Sequence, residues 1–293
     1  MSHPNWIKAS RYASDLPPIF NIISAPQGLS DYITSMVYIE RWSLESKALT
    51  VVPNGVPVLV FHFNEGNQGI ESIATASSRL ANLPSVFLCG AGTEPSTMKF
   101  RGGNCITLQV IFQPHALRTL FGVDASSLVN KVIDLAEFSG RELCSRLIDV
   151  PTSHERVHLL AQFLTSQKEL DYARDFEIEA CIRHIDHSPE VATVKGLLGA
   201  TSLSERQFEK RFRQTTGLSA AAYIRLKRFK KAIEMMKEAK SLSLTEIAHA
   251  LNYYDQSHFI RDTKSFTGKT PRVIAGQLAG QLREVIAFED SDR

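Results

Sequence analysis

The sequence predicts an α+β fold: a small β-barrel with flanking helices, then an all-α domain of two helix-turn-helix units joined by a long helix. Three observations predict it. Residues 31–112 form a series of short runs rich in β-branched and aromatic residues, and such series build small barrels or sandwiches. After Pro114 the apolar spacing becomes helical, which marks a change of architecture. Within 190–275 one stretch of sequence occurs twice, the sign of a repeated structural unit.

The 293 residues exceed what one core usually organises, since single cores stop growing at roughly 250–300 residues. Apolar residues make up 43% and charged residues 22%, an ordinary globular balance. No apolar run nears the roughly 20 residues of a membrane helix. Met1-Ser-His-Pro-Asn-Trp-Ile lacks the basic start and apolar centre of a signal peptide. The expectation is a cytoplasmic chain with no membrane partner. Cys89, Cys105, Cys144 and Cys181 show no CxxC spacing and read as reduced, mostly buried thiols.

In the β-rich part, Asp31–Glu40 and Ala48–Val52 read as strands, followed by Val56–Phe63. Pro53-Asn54-Gly55 lies between the last two, and Asn-Gly between apolar runs predicts a hairpin. Ser85–Leu88, Ser96–Phe100 and Ile106–Phe112 read as further strands. Residues 115–121 then predict a short helix, and Val132–Leu147 and His154–Leu164 longer ones. Asp175–Ile185 is another amphipathic segment, and Ser188-Pro189-Glu190 reads as a helix start. Leu143, Leu147 and Leu160 form apolar stripes on the middle helices. Either they pack on their own barrel or, left uncovered, they join two copies into a homodimer. The expected division is 1–127, β-rich; 128–175, helical connector and possible dimer segment; 176–275, the repeated domain; and 276–293, a tail.

The repeat carries the chemistry. At an offset of 51, Phe208 meets Phe259, Lys210 meets Arg261, Arg213 meets Lys264, Thr216 meets Thr267 and Gly217 meets Gly268. Upstream the offset is 50: Val194 meets Leu244, Leu197 meets Ile247, and Ala200 meets Ala250. A helix–turn–helix occurring twice, with a slightly longer turn in the second copy, accounts for both offsets. Ser204-x-x-Gln207 and Ser243-x-x-Glu246 have the form of capping boxes. Asp255 suits an N-cap, and Gly217 and Gly268 suit left-handed helix ends. Phe208 and Phe212 share one face of their helix, whereas Arg206, Lys210 and Arg213 project elsewhere and Arg211 is turned away. An apolar face on the domain with a cationic face outward is what a major groove requires: cations for phosphates and forked donors for guanine edges. Between the copies, Tyr223–Lys237 fits one long helix with five cations in 225–231. Charge agrees. Lys and Arg number 14 against 18 acidic residues in 1–180, leaving 19 against 13 in 181–293, within a net +2. A basic rear half points to a polyanion, here double-stranded DNA.

These residues closely resemble the AraC/XylS family of bacterial transcription regulators. The resemblance is carried by Leu203-Ser-Glu-Arg-Gln-Phe-Glu-Lys-Arg-Phe, Thr216-Gly-Leu-Ser, and Tyr223-Ile through Arg228 to Ala232. It continues through Ile247-Ala, Asp255-Gln-Ser-His-Phe-Ile-Arg and Gly268-Lys-Thr-Pro271. It covers about 190–275. Ala220, Asn252 and Thr263 stand where the family usually has Pro, Gly and Phe, and the last substitution thins the second unit's core. The front half is similar to the cupin-like domains of part of that family, on Val52-Pro-Asn-Gly, Phe61-His-Phe, Val110-Ile-Phe-Gln-Pro-His, Leu120-Phe-Gly-Val and Val132-Ile-Asp-Leu. The resemblance implies a sequence-specific DNA-binding regulator with a small-molecule effector in the front domain and RNA polymerase as a partner. By motif alignment Arg206 and Lys210 face bases in a first groove, with Glu209 reading cytosine. Gln256, Ser257 and Arg261 do so in a second, while Arg213 and Lys264 hold phosphates. Ser204 and Gln207, at the first reading helix's start, complete the DNA-binding set.

The competing reading is a cupin-type enzyme or small-molecule-binding protein with a helical appendage. His62 and His115 are far apart and lack an HxH partner, so they read as structural histidines. Cys89 and Cys105 read as inert thiols. There is no phosphate-loop motif and no recognisable nucleophile–base pair. No enzyme, no metal and no cofactor is the expectation, and the cationic double repeat favours the regulator.

Overall fold

The computed structural model describes residues 18–64, 69–76, 78–138, 141–170, 172–238, 243–277 and 287–289. In the N-terminal domain β1 (Ile19–Ser24), β2 (Ile33–Ser43), β9 (Gly103–Phe112), β4 (Val58–Phe63), β7 (Val86–Cys89) and β10 (Val132–Asp134) form a six-stranded sheet in that spatial order. A five-stranded sheet runs β11 (Ala287–Glu289), β3 (Lys47–Val51), β8 (Ser96–Phe100), β5 (Ile70–Ala74) and β6 (Arg79–Ala81). The described pairings are antiparallel.

Alternation along the strands decides what each face covers. On β4, Val60 points toward the second sheet and packs with Ile70, Ile73 and Phe87. Leu59 and Phe61 point the other way, into a core shared with three helices: α1 (Ala116–Phe121), α2 (Arg141–Asp149) and α3 (Ser153–Lys168). Leu143, Leu147 and Leu160 belong to that core and are at most 7% exposed. The leucine stripe read as a possible dimer seam is covered by the chain's own sheet.

Three sequence expectations need correction. Pro53-Asn54-Gly55 does not close a hairpin, because β3 pairs with β8 and β4 with β7 and β9. The turn instead carries the chain between sheets. Asn54 Oδ1 accepts the Val56 N–H at 3.1 Å, and Gly55 takes a left-handed φ of 69°. Val132–Leu147 is not one helix. Val132–Asp134 adds to the sheet edge, and Asp134 then accepts the Ala136 N–H at 2.9 Å, opening a 3₁₀ turn over Leu135–Phe138 before α2. β-Branched Val132 and Ile133 favour the strand. Finally, Ser188-Pro189-Glu190 ends a helix and does not start one. Ser188 is the C-cap of α4 (Phe176–His187), and α5 (Val194–Gly199) starts after the Thr193 cap. β1, β5 and β6 were not anticipated. Most of the 276–293 tail lies outside the described residues, although Ala287–Glu289 pairs with β3.

The C-terminal domain is helical. α4, α5, α6 (Glu205–Thr216) and α7 (Ala220–Glu238) share one core around Ile182, Leu197, Phe208, Phe212, Tyr223 and Phe229. α8 (Leu244–Ala250) and α9 (Gln256–Thr267) pack a smaller one on the far end of α7, around Ala232, Ile247, Tyr253 and Phe259. α10 (Pro271–Gln277) follows, with Ile274 returning to the first core.

Candidate nucleic-acid interface

The two helix-turn-helix units are α5–α6 and α8–α9. Both turns run five residues from C-cap to N-cap, Ala200 to Ser204 and Leu251 to Asp255. The extra residue in the second copy therefore lies in α8, seven residues against six in α5, and not in the turn as expected.

α6 begins at a capping box. The Gln207 N–H donates to Ser204 Oγ at 3.4 Å, and the Ser204 N–H donates back to Gln207 Oε1 at 3.1 Å. The box stabilises the end of the helix that a groove would receive. It also occupies Ser204 and Gln207 with each other, and Ser204 Oγ donates to Gln207 Oε1 at 2.9 Å. Phe208 and Phe212 are fully buried, and Tyr223 stacks edge-on against Phe212 at 5.8 Å. Arg206, Lys210 and Arg213 are exposed on the other side. Arg211 leaves that face and mounts α6 on α4, reaching Asp175 at 2.6 Å and Glu177 at 3.2 Å. Glu209 accepts from Arg213 Nε at 2.9 Å, so the residue assigned to cytosine also orients one assigned to phosphate. Gly217 ends the helix at φ 87°.

The second unit follows the same plan. Ser243 and Glu246 form the box on α8, with the Ser243 N–H donating to Glu246 Oε2 at 2.7 Å. Asp255 caps α9 by accepting the His258 N–H at 2.6 Å, and Gly268 ends it at φ 71°. Gln256, Ser257, Arg261 and Lys264 are exposed. Gln256 Oε1 accepts the Thr245 hydroxyl at 3.2 Å, which steers its amide from α8. Asn252, in place of the usual Gly, adopts φ 56°; Asn is among the side chains that tolerate this region. Thr263, in place of Phe, is fully buried and its hydroxyl donates to the Phe259 carbonyl at 2.9 Å. Next to it, buried Asp262 accepts from Arg225 Nε at 2.8 Å, and Arg225 Nη2 donates to Ser265 at 2.8 Å.

The cations of 225–231 are largely structural. Arg225 holds α9, Lys227 pairs with Asp186 at 2.8 Å, and Arg228 donates to the carbonyls of Pro189 and Ala192 at 2.8 and 2.9 Å. α7 is thus bolted to both units, so they present their outward faces at a fixed separation.

Sequence reasoning missed the junction with the N-terminal domain, since its members are far apart in sequence. Val52 and Ala91 enter the first helical core. A Cβ at Gly55 would overlap the Leu226 side chain, and one at Gly217 would lie 3.0 Å from Val129 Cγ2 and 3.1 Å from the Ala125 carbonyl. Arg174 bridges the two domains, reaching Asp31 at 3.3 Å and buried Glu179 at 2.5 Å. In the N-terminal domain His62 donates from Nε2 to the Pro84 carbonyl at 2.7 Å and accepts the Ile70 N–H on Nδ1 at 2.8 Å. Burial lowers its pKa to about 4, so it is a neutral structural staple. His115 is buried, and burial lowers it too. Burial pushes the Cys89 and Cys105 thiols up to about 12, away from the thiolate a redox sensor needs.

Comparison with known proteins finds two family models and several solved structures. Residues 197–277 match the family model described as a helix-turn-helix domain, and residues 21–134 match one described as a domain of unknown function, DUF6597. No curated protein matches. Among solved structures, ToxT from Vibrio cholerae O395 is 13% identical over 83% of this chain and 99% of its own, with a TM-score of 0.46. A transcriptional regulator from Chromobacterium violaceum, described by its AraC-type DNA-binding domain, is 21% identical over 36% and 93%, with a TM-score of 0.33. The DNA-binding domain of AdpA in complex with a target DNA is 20% identical over 34% and 90%, with a TM-score of 0.32. The match over 197–277 makes the C-terminal part of this chain a helix-turn-helix domain, and the two units of the structure lie across it.

Proposed function

We propose that α6 and α9 enter successive major-groove faces of one duplex, and that the N-terminal domain adjusts this binding in response to a small molecule. The observation that carries the first part is the shared construction of the two units. Each reading helix buries its phenylalanines and leaves a cationic face exposed, and α7 holds both. Arg206 and Lys210 contact bases in one groove, with Glu209 accepting from cytosine; Gln256, Ser257 and Arg261 contact bases in the other. Arg213 and Lys264 hold phosphates, and Ser204 and Gln207 set the start of α6 against the backbone. One protomer then covers an asymmetric site of about two turns, roughly 10–10.5 base pairs between units. Selection of sites from random DNA, followed by footprinting, tests this; protection of a single half-turn patch overturns it.

The effector site lies between the two sheets. The Ser35 hydroxyl is buried without a partner, on the same strand face as Val37 and Ile39. Met98 and Phe100 on β8 are only half-buried, so apolar surface remains for an occupant. The domain serves in binding and not in catalysis. A metabolite that binds it should raise the melting temperature of the full chain and shift its affinity for the selected site. A stabiliser acting equally on fragment 176–293 would place the site elsewhere. The same reading has the regulator working in the cytoplasm, touching RNA polymerase as its resemblance implies. A homodimer would have to use surface other than the covered leucines; light scattering with and without DNA decides it.

A further inference from the structure

We infer that Tyr254, in the turn of the second unit, is a DNA-backbone contact, its phenol hydroxyl donating to a phosphate at the rim of the groove that receives α9. This rests on the docking proposed above and adds a residue to it. Tyr254 is 92% exposed, more than any other exposed large hydrophobic side chain among the described residues. Its position is set by its neighbours. Asn252 turns the chain at φ 56°, which sends Tyr253 inward, 8% exposed, against Phe259 at 5.2 Å. Tyr254 then faces out, one residue before the Asp255 cap.

Comparison of the two copies shows that packing does not ask for this side chain. The residue before the cap in the first unit is Leu203, which packs on the first core. The corresponding place in the second unit holds an aromatic that touches no core, because Tyr253 already fills that role. A tyrosine in water gains nothing from its ring, whereas beside a duplex it offers a flat face for the sugar edge and a donor for phosphate. Tyrosine is one of the side chains that hydrogen-bond phosphate oxygens. A helix-turn-helix reading helix meets base edges with its N-terminal residues, here Gln256 and Ser257, both exposed. The residue just before that end is adjacent to the strand's phosphates.

The test is equilibrium binding of full-length protein to a duplex selected from random DNA, at several salt concentrations, with Tyr254→Phe, Tyr254→Ala and Arg261→Ala. Tyr254→Phe should weaken binding roughly three- to tenfold, the worth of one hydrogen bond, and Tyr254→Ala at least as much. Because the phenol is neutral, the salt slope should stay that of the parent. Melting temperatures should not move, since the side chain is exposed. In phosphate-ethylation interference the parent should show one second-unit phosphate that Tyr254→Phe loses. Parent-like affinity of Tyr254→Phe overturns the hydroxyl contact, and a lowered melting temperature of Tyr254→Ala overturns it in favour of a structural role. If Arg261→Ala weakens binding while neither Tyr254 variant does, only this inference falls. If all three bind like the parent, the docking of the second unit falls with it.

Discussion

Arg206 and Lys264 are both exposed cations, and the proposed docking gives them different tasks. In that docking Arg206, on the first turn of α6, would present a fork to guanine, so Arg206→Ala should cost about 1–3 kcal/mol of binding and relax preference at one or two base pairs. Lys264, a turn from the end of α9, would neutralise a phosphate there. Lys264→Ala should weaken all sequences alike and flatten the salt dependence by roughly one counterion. Titrations on selected and scrambled duplexes separate them; equal loss on both for Arg206→Ala removes it from the base readers. Asp175 makes a pH prediction. Burial alone raises its carboxyl, but the Arg211 guanidinium and the Ile178 N–H bonded to it, with the nearby charges of Arg211 and Arg118, outweigh burial and hold it below its usual value. A carboxyl lowered on folding stabilises above its unfolded value and loses that contribution as pH falls through the folded one. Melting temperature should therefore drop below about pH 4, less steeply in Asp175→Asn, which should also be less stable near neutrality. Parallel curves for the two proteins would take Asp175 out of the acid response.

The helix ends show what a single element owes to its surroundings. Gly217 and Gly268 end α6 and α9 in the same left-handed conformation, φ 87° and 71°. Around Gly268 a Cβ would meet nothing within 4 Å, whereas at Gly217 it would press on Val129 and the Ala125 carbonyl. Gly268→Ala should cost about 1 kcal/mol, the price of the left-handed backbone. Gly217→Ala should cost more, because the N-terminal domain must also move back. Urea unfolding of both variants measures the difference, and equal losses would mean that the 3₁₀ turn over Ala125–Leu128 yields freely. Ser204-x-x-Gln207, Ser243-x-x-Glu246 and Asp255 were legible as caps because capping is local chemistry. The Asn54-Gly55 turn was misread because turn residues report a bend, while the strand each side pairs with depends on distant β7, β8 and β9.

At the scale of the molecule, one reading unit is seated against the N-terminal domain and the other hangs from α7. Gln214 on α6 accepts from Arg118 at 3.4 Å, and Arg174 ties Asp31 to Glu179 on α4, so the N-terminal domain holds the first unit through both helices. Arg174→Ala leaves buried Glu179, 1% exposed, without its main partner, and removing one member of a buried pair is strongly destabilising, about 3–5 kcal/mol. Calorimetry of the full chain should show the C-terminal transition lowered or split from the N-terminal one. A single unshifted transition would show that the junction does not depend on this ion pair.

The repeat, its caps, its glycine ends and its outward cations were determined by the sequence alone, because helix period, capping and charge act within a few residues. Those features were enough to indicate a paired DNA reader. Three things were decided only by tertiary structure. Which strands pair places Pro53-Asn54-Gly55 between two sheets, next to Leu226. Which cations of α7 are tied to distant partners sets Arg225 and Arg228 apart, bonded to residues about forty positions away. Which apolar stripes are covered puts Leu143, Leu147 and Leu160 against the chain's own sheet. Each depends on contacts between segments remote in sequence, which local periodicity does not encode.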